Sequence, residues 1–546
     1  MSLPKDPIEP VPEETVRIAQ AAFPKGSIYM KMRDELGSIY DNAQFADLFP
    51  RRGQSAESPW RLALVTIMQF AENLTDRQAA DAVRSRIDWK YALGLNLEDS
   101  GFDFSVLCKF RKRLIQHQAT HRLFDILLTL FVQRGFVHTR GRQRTDSTHI
   151  LSAIRALNRL ELVSEAVRQV LETLAKAAPP FLQGRVPSVW VERYGQPLNE
   201  QRLPTDEREQ TLFAEAIGRD GRTLLQWIYD QPQWYGLHVL PAVETLRQIW
   251  VQQFYEVDDH LHWRANDQTP PATYRIVSPH DRQARQGRKR DTRWLGYKVH
   301  MTETCEKDHP NLVIHVETRP APQQDVLATS KIHQDLEEAG LLPAEHIVDT
   351  AYMSGPLLVE SQKTFGVELL GPVLPDTSWQ AQADEGFDIT HFQVDWKNQK
   401  VTCPEGQTNR YWRTGKDRHD HPVIRVYFPP KICNACPVVT KCTQSATGRS
   451  LSIKPKVEHE ATQEARQRQE LPEFKEKYHA RAGIEGTLSQ AVVALGMRKT
   501  RYRDPVKVHF QHLTTAAAIN LKRVYAWLNE TPRATTRTSA FAALAA

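Results

Sequence analysis

Cysteine is scarce, six in 546 residues, which excludes a disulfide scaffold for a chain of this length. Long apolar runs are missing too: no stretch of 18 uncharged apolar residues occurs, so nothing reads as a membrane-spanning helix. The opening, MSLPKDPIEPVPEE, is acidic and proline-rich where a secretory signal is basic and then apolar. These absences predict a cytoplasmic chain with no membrane partner. Neither sign of charge dominates, 71 Lys and Arg facing 65 Asp and Glu for a formal net charge of +6. With 40% hydrophobic and 25% charged residues, a wholly disordered or fibrous chain is excluded. The length exceeds what one hydrophobic core supports, so several structural units are expected.

What positive charge there is comes in blocks. KFRKR (109–113), RGRQR (140–144), RQARQGRKR (282–290) and RKTRYR (498–503) are locally basic and suit contacts with phosphate. Any one of them also fits the solvated face of an ordinary helix. Four together point to nucleic acid.

Residues 58–96 place apolar residues at three- and four-residue spacing, with Asn73, Thr75 and Asp76 as break and cap between two helices. In the DFSVLCKFRKRLIQH that follows, Ser105 reads as an N-cap, and Arg111, Lys112 and Arg113 crowd a helix suited to lie on DNA. Leu160, Val163, Val167, Val170 and Leu174 form the seam of a long packed helix. Helical text continues to about residue 258, interrupted by a proline-bearing loop at 178–208. The character changes at residue 294. WLGYKVHMTETCE and NLVIHVETRPAP read as a hairpin, QQDVLATSKIHQDLEEAG as a helix, AEHIVDTAYMS as a short buried strand ending at Asp349, and VELLGPVLP as a further strand. That succession is the text of an α/β unit. Residues 376–458 read as polar and loop-like. EFKEKYHARAGIEGTLSQAVVAL and VKVHFQHLTTAAAINLKRVYAWL return to helix, and the tail from about 530 reads as frayed.

Three carboxylates stand out. Asp146 lies in RQRTDSTHI, an extended run after a basic patch, and Asp349 ends the apolar HIVDT. Glu485 shares a predicted helix face with Tyr478 and Arg481, spaced by three and four residues. Gly483 and Gly486 flank it at a helix-propensity cost of about 1 kcal/mol each, which makes sense where something approaches the backbone closely. Two strand-borne aspartates and a helix glutamate can hold two Mg²⁺ or Mn²⁺ ions with positions open for substrate oxygens, as in-line phosphodiester attack needs. Sixty-five acidic residues also supply many such triples, and Glu485 fits a surface pair with Arg481. Spacing alone leaves both readings open.

Four segments add context: FADLFPRRGQSAESP with DFSVLCKFRKRL, then RTDSTHI, IVDTAYMSG and YHARAGIEGTLSQ. Through them the chain resembles, over nearly its whole length, transposases of the insertion-sequence-1182 type, close to the insertion-sequence-4 and insertion-sequence-5 groups of DDE transposases. The last segment resembles the Y-x2-R-x3-E-x6-K signature of the insertion-sequence-4 group at Tyr478, Arg481 and Glu485, with Val492 where that signature has lysine. The resemblance implies an α/β, RNase H-like catalytic core whose triad is Asp146, Asp349 and Glu485, holding Mg²⁺ or Mn²⁺. It implies that Tyr478 and Arg481 contact DNA beside the site; a hairpin intermediate is not implied, and Lys499 or Arg498, a turn later, is a candidate for the place of the missing lysine. The expected partners are the inverted-repeat ends of an insertion sequence and a target DNA, bound by a homodimer in a bacterial, nucleoid-associated setting. The expected reaction is cleavage by metal-activated water followed by attack of the freed 3′-hydroxyl on target DNA. Two rivals stand beside it: a catalytically inactive, transposase-derived DNA-binding protein, and a stand-alone RNase H-like nuclease.

The expected division is a helical DNA-binding region at 1–140, with Arg111 and Arg113 among its contacts, and the first core strand at 141–155. A helical insertion follows at 156–290, the rest of the core at 291–375 and a cysteine-containing insertion at 376–470. The third-carboxylate helix and C-terminal helix occupy 471–530, and a flexible tail 531–546. Within the second insertion Cys403, Cys433, Cys436 and Cys442 form C-x29-C-x2-C-x5-C. Four thiolates satisfy tetrahedral Zn²⁺, so structural zinc is expected. The first half-site is a lone cysteine, and His391, His419 or His421 fits as an alternative ligand; free thiols in a loop are the plain alternative. Cys108 and Cys305 read as buried. Trp227, Trp234 and Trp250 read as helix core ahead of base-stacking groups, and His149 and His300, which flank the centre in sequence, as ordinary histidines first.

Overall fold

The computed structural model describes residues 2–4, 8–198, 203–418 and 420–532; His419 and residues 533–546 of the tail lie outside the described residues. Half of the described residues are helical and 15% are strand, a mixed α/β composition. In the N-terminal part, Thr75 caps the helix Asp76–Ser85: its hydroxyl accepts the Gln78 N–H while Gln78 Oε1 accepts the Thr75 N–H. Asn73 turns the chain at φ +56°, where the short polar side chain of asparagine is tolerated. The preceding helix, Pro59–Ala71, is buried almost all round because the C-terminal helix Pro505–Leu528 packs along it. One core therefore joins the two ends of the chain, from Tyr29 to Val524. Ser105 opens its helix as the first residue and not as the cap; the Asp103 carboxylate accepts its N–H at 2.9 Å.

Strand β1 (Arg142–Leu151) is followed by helices Arg159–Ala177, Glu207–Tyr229 and Pro241–Gln253 and by a hairpin of β2 (Phe254–Val257) and β3 (His260–Trp263). The predicted seam residues Val163, Val167, Val170 and Leu174 are fully buried in a separate core. Trp250 belongs to it and donates from Nε1 to the Gly218 carbonyl at 3.0 Å, and Trp227 and Trp234 pack at its margin. Trp250 is a core group, and Trp227 and Trp234 are partly buried against that core.

The main sheet adds β4 (Arg285–Lys289), β5 (Thr292–Thr304), β6 (Val313–Pro320), β7 (Glu345–Ile347) and β8 (Glu368–Leu370) to β1. Its strand text thus begins at Arg285, ahead of the expected change at 294. β5 runs antiparallel to β1 on one side and to β4 and β6 on the other, while β7 is parallel to both β1 and β8. Read across, the order is β6-β5-β1-β7-β8. β7 stops at Ile347, so Asp349 lies just past its end and not within it; Asp349 caps the turn Thr350–Tyr352, accepting the Ala351 N–H at 2.9 Å.

The segment expected to be loop is a small β unit: β9 (Gln393–Asp395) pairs with β10 (Lys400–Thr402), and β11 (Tyr411–Lys416), β12 (Pro422–Tyr427) and β13 (Ser450–Ile453) form a second sheet. Val401, Val426, Phe428 and Ile453 give it a core. Strands of three to six residues with polar outer faces are too short to leave a clear alternation in sequence. The helix expected to run unbroken through Glu485 is divided into Pro472–His479 and Ala482–Ser489. The N–H groups of Arg481, Gly483 and Ile484 each bond three residues back, and the Ala480 carbonyl is taken by Arg144. Among the described residues no helix is long and apolar enough to cross a membrane.

Candidate active site

Alternate residues of β1 point to opposite faces of the sheet, and the two faces do different work. Arg144 and Asp146 turn toward the helix that carries Glu485, while Thr145 and Ser147 turn to the other side. Glu303 on β5, whose side chain is fully buried, accepts Arg144 at 2.6 Å and Arg523 of the C-terminal helix at 2.7 Å. It also accepts the Thr487 hydroxyl. Two guanidiniums and a hydroxyl compensate the desolvation of that carboxylate and fix Ala482–Ser489 against the sheet. Gly483 is what lets the helix sit so close, since an added Cβ there would overlap the Arg144 guanidinium. Gly486 faces open space.

On this scaffold a single guanidinium reaches all three predicted carboxylates. Arg481 lies 2.8 Å from Asp146, 3.8 Å from Asp349 and 3.0 Å from Glu485. Asp146 is buried, and burial pushes its carboxyl up to about 6, with Arg481 and the Ser147 N–H opposing and Asp349 adding to the rise. Tyr478 stacks on Phe474, rings 5.6 Å apart; its hydroxyl is raised by burial and by the Asp349, Asp146 and Glu485 charges, against Arg481. Glu485 remains largely exposed, at 64% for its side chain. The centre is therefore closed by protein below and open on the glutamate side. With Arg481 among them, the carboxylates are not packed as tightly as metal ligands: the groups of three whose ligand atoms lie within 4.8 Å are His138, Glu306 and His309, and His315, Glu317 and Asp335, among the described residues.

Behind Asp146 lies a polar layer that sequence reasoning did not find. Ser147 Oγ donates to Asp325 at 3.3 Å, Lys298 pairs with Asp325 at 2.7 Å, and the His300 ring meets the Tyr352 hydroxyl at 2.6 Å. His300 is fully buried and held well below its usual range, first by burial, so it is neutral. A lone aspartate in QQDV carries no local signal; only the sheet brings Asp325 to this place. His149 stands with its ring 5.3 Å from Trp294.

Cys403, Cys433, Cys436 and Cys442 line one small, mostly apolar cavity of about 40 Å³. Burial raises the Cys442 thiol, Arg449 opposes it, and the other three cysteines add to it. His391 is paired with Asp388 at 2.8 Å and His421 with Asp417 at 3.5 Å. Cys305 is buried as expected, but Cys108 is exposed.

The basic blocks divide between interior and surface: Arg111 and Arg144 are buried, while Arg288, Lys289, Arg290, Lys499 and Arg503 are exposed. Arg111 was expected on DNA, yet it is buried, paired with Asp76 at 2.6 Å and stacked over Tyr502. Arg113 is half-buried over Phe49 and donates to the Leu48 carbonyl at 3.0 Å. Both guanidiniums are engaged within the protein, for a reason periodicity does not show: the buried side of this helix also carries Arg111. Lys109 and Lys112 are its exposed cations. Arg498 donates to Thr148 at 3.1 Å, whereas Lys499 is exposed and bridges to Leu151 at the end of β1.

Residues 402–525 match the family model described as Transposase DDE domain, and residues 18–113 match Transposase domain (DUF772). These matches indicate a DDE-type transposase. No curated protein and no solved structure matches the chain. For a DDE-type transposase the implied partner is DNA and the implied chemistry DNA cleavage or transfer. The DDE-domain match includes Tyr478, Arg481, Glu485 and the cysteine quartet; Asp146 and Asp349 lie outside it. The other match covers the N-terminal helices around Thr75 and Arg111.

Proposed function

We propose that the protein is a transposase of the insertion-sequence-1182 type that cleaves the ends of its own element and joins them to target DNA, with Asp146, Asp349 and Glu485 as its metal-holding carboxylates. The observation that carries this reading is Arg481, whose one guanidinium lies within 4 Å of carboxylates from three separate elements. Three acidic groups around one cation form a place where a stronger positive charge fits. The donor set is carboxylate oxygen, which suits Mg²⁺ or Mn²⁺. Bound there, such ions supply Lewis-acid activation of water and of the scissile phosphodiester. The chain's residues do the rest. Arg481 exchanges carboxylate contacts for a phosphate oxygen, which its planar fork matches. Tyr478, its hydroxyl kept protonated, donates to the DNA backbone beside the cut. Val492 is partly buried against the core, so exposed Lys499 takes the place of the missing lysine, with Lys289, close enough to Asp146 to act on its charge, as a second cation.

The strand order β6-β5-β1-β7-β8, antiparallel in its first half and parallel in its second, supports an RNase H-like core, with residues 156–290 and 376–470 as insertions. A homodimer holding two inverted-repeat ends is the working unit of this reading. The four-thiol cavity supports structural zinc: Zn²⁺ bound there would cross-link the β10 end of its unit to the segment between β12 and β13.

The test is Glu485→Gln beside the unmutated protein, on DNA carrying the element's ends with Mg²⁺. The exchange removes one charge at nearly constant size from an exposed position, so folding and end binding are expected to persist. Nicking and joining are expected to fall about a thousandfold, the equivalent of ~4 kcal/mol. Equal cutting by both proteins removes Glu485 from the triad. Binding without cutting by the unmutated protein, under any divalent metal, favours the binding-only rival, and cutting without joining favours the nuclease.

A further inference from the structure

A cavity of about 730 Å³ opens between the helix Arg122–Gln133, the edge strand β6, the helix Thr329–Glu338 and the start of the C-terminal helix. It runs along the sheet edge, and the His315 and Glu317 that line it lie on the face opposite the triad. Asp146 pairs across the sheet with Met301 and Val316, whereas the neighbouring row is Thr145, Thr302 and His315, and cross-strand partners share a face. His315 and Glu317 alternate with buried Val316, so both project to the cavity side, where Asp335 of the facing helix meets them. One ligand atom from each lies within 4.8 Å of the others, a spread that side-chain shifts of a few tenths of an ångström bring to three donors at ~2.0–2.2 Å from one ion.

The His315 side chain is only 11% exposed, its Nε2 stands 3.0 Å from Asp335, and its buried Nδ1 has no hydrogen-bond partner. Each carboxylate is meanwhile satisfied by a protein cation: Lys331 pairs with Asp335, and Arg319 with Glu317 at 3.1 Å. Lys331 is 46% exposed and can leave for solvent on its flexible stem. The His121 and His509 rings, with facing nitrogens 3.1 Å apart, border the same cavity.

We propose that His315, Glu317 and Asp335 form a second cation site, for a divalent transition metal, separate from the triad on the opposite face of the sheet. One imidazole with two carboxylates selects Mn²⁺, Co²⁺, Ni²⁺ or Zn²⁺ over Mg²⁺, which prefers an all-oxygen shell. Lys331 is the competing cation that metal displaces from Asp335. The bound ion ties the edge strand to the helix Thr329–Glu338.

Co²⁺ binding to the full chain, counted by equilibrium dialysis in excess Mg²⁺, tests this. His315→Gln is expected to bind one Co²⁺ per chain fewer than the unmutated protein; equal counts overturn the site. Where His315→Gln does not fold, Lys331→Ala decides, since it removes a half-exposed competitor and leaves all three ligands. Its Co²⁺ affinity is expected to rise about tenfold, the effect of one positive charge removed from beside the ion. An unchanged or weaker affinity means that Asp335 is no ligand.

Discussion

At the residue scale, Arg481 is the cation that the three proposed carboxylates share, within 4 Å of Asp146, Asp349 and Glu485. Its loss leaves the buried Asp146 facing Asp349 without its nearest counter-charge, with the more weakly acting Lys289 remaining. Arg481→Gln is therefore expected to destabilise the metal-free protein by about 2 kcal/mol, below the 3–5 of a fully buried pair because the centre is partly open. Mg²⁺ is expected to restore most of that loss. Urea denaturation with and without Mg²⁺ checks this, and a deficit that Mg²⁺ does not reduce means the carboxylates are not a metal site. The two glycines beside Glu485 make a contrast of the same kind. Gly483→Ala forces Arg144 off Glu303 and is expected to cost about 2 kcal/mol or more. Gly486→Ala meets nothing within 4 Å and is expected to gain up to about 1 kcal/mol from helix propensity. Thermal melts of the two variants moving in the same direction sink this account of the helix seat.

At the scale of elements, the small β unit stands on few apolar residues, and the four cysteines surround a cavity beside them. Purified protein is expected to contain about one Zn²⁺ per chain, and Cys436→Ser or a chelator to expose the unit to proteolysis between β10 and β13 without unfolding the main sheet. Zinc analysis that finds none under reducing conditions leaves the thiols free. The elements that carry the proposed triad are built differently. β1 is clamped on both edges, by β5 and β7, and Asp349 follows β7 directly, so both aspartates rest on rigid backbone. Glu485 rests instead on a helix tied to the sheet through Arg144, Glu303, Thr487 and Arg523, with Ile484 and Leu488 buried in the main core.

At the scale of the whole molecule, Arg111 decides where DNA is sought. Because it is paired with Asp76 inside the N-terminal unit, Arg111→Ala is expected to cost about 2–3 kcal/mol of stability and to leave the salt dependence of DNA binding unchanged. Neutralising exposed Lys289 and Lys499 together is expected to lower the slope of log affinity against log salt by about 2, roughly 0.9 for each phosphate contact. The reverse pattern, measured by anisotropy over a salt series, returns the DNA path to the N-terminal helix.

Local sequence fixed much of this protein by short-range physics. The cap at Thr75, the buried seam from Val163 to Leu174 and the C-terminal helix are written in neighbours three or four residues apart, because a helix repeats at that spacing. RTDSTHI, IVDTAYMSG and YHARAGIEGTLSQ likewise marked the three carboxylates as candidates. Tertiary structure alone decided what those residues meet. Arg481 reaches Asp146 across 335 positions of chain, and Arg144 takes the Ala480 carbonyl across 336, which breaks the helix that propensity would have continued. Arg111 turned inward for a similar reason: a charged side chain on a helix carries no mark of whether a carboxylate waits opposite, and Asp76 does so 35 residues away. Periodicity encodes which face of an element is turned to the core; which groups pair across it depends on packing between segments that no local pattern relates.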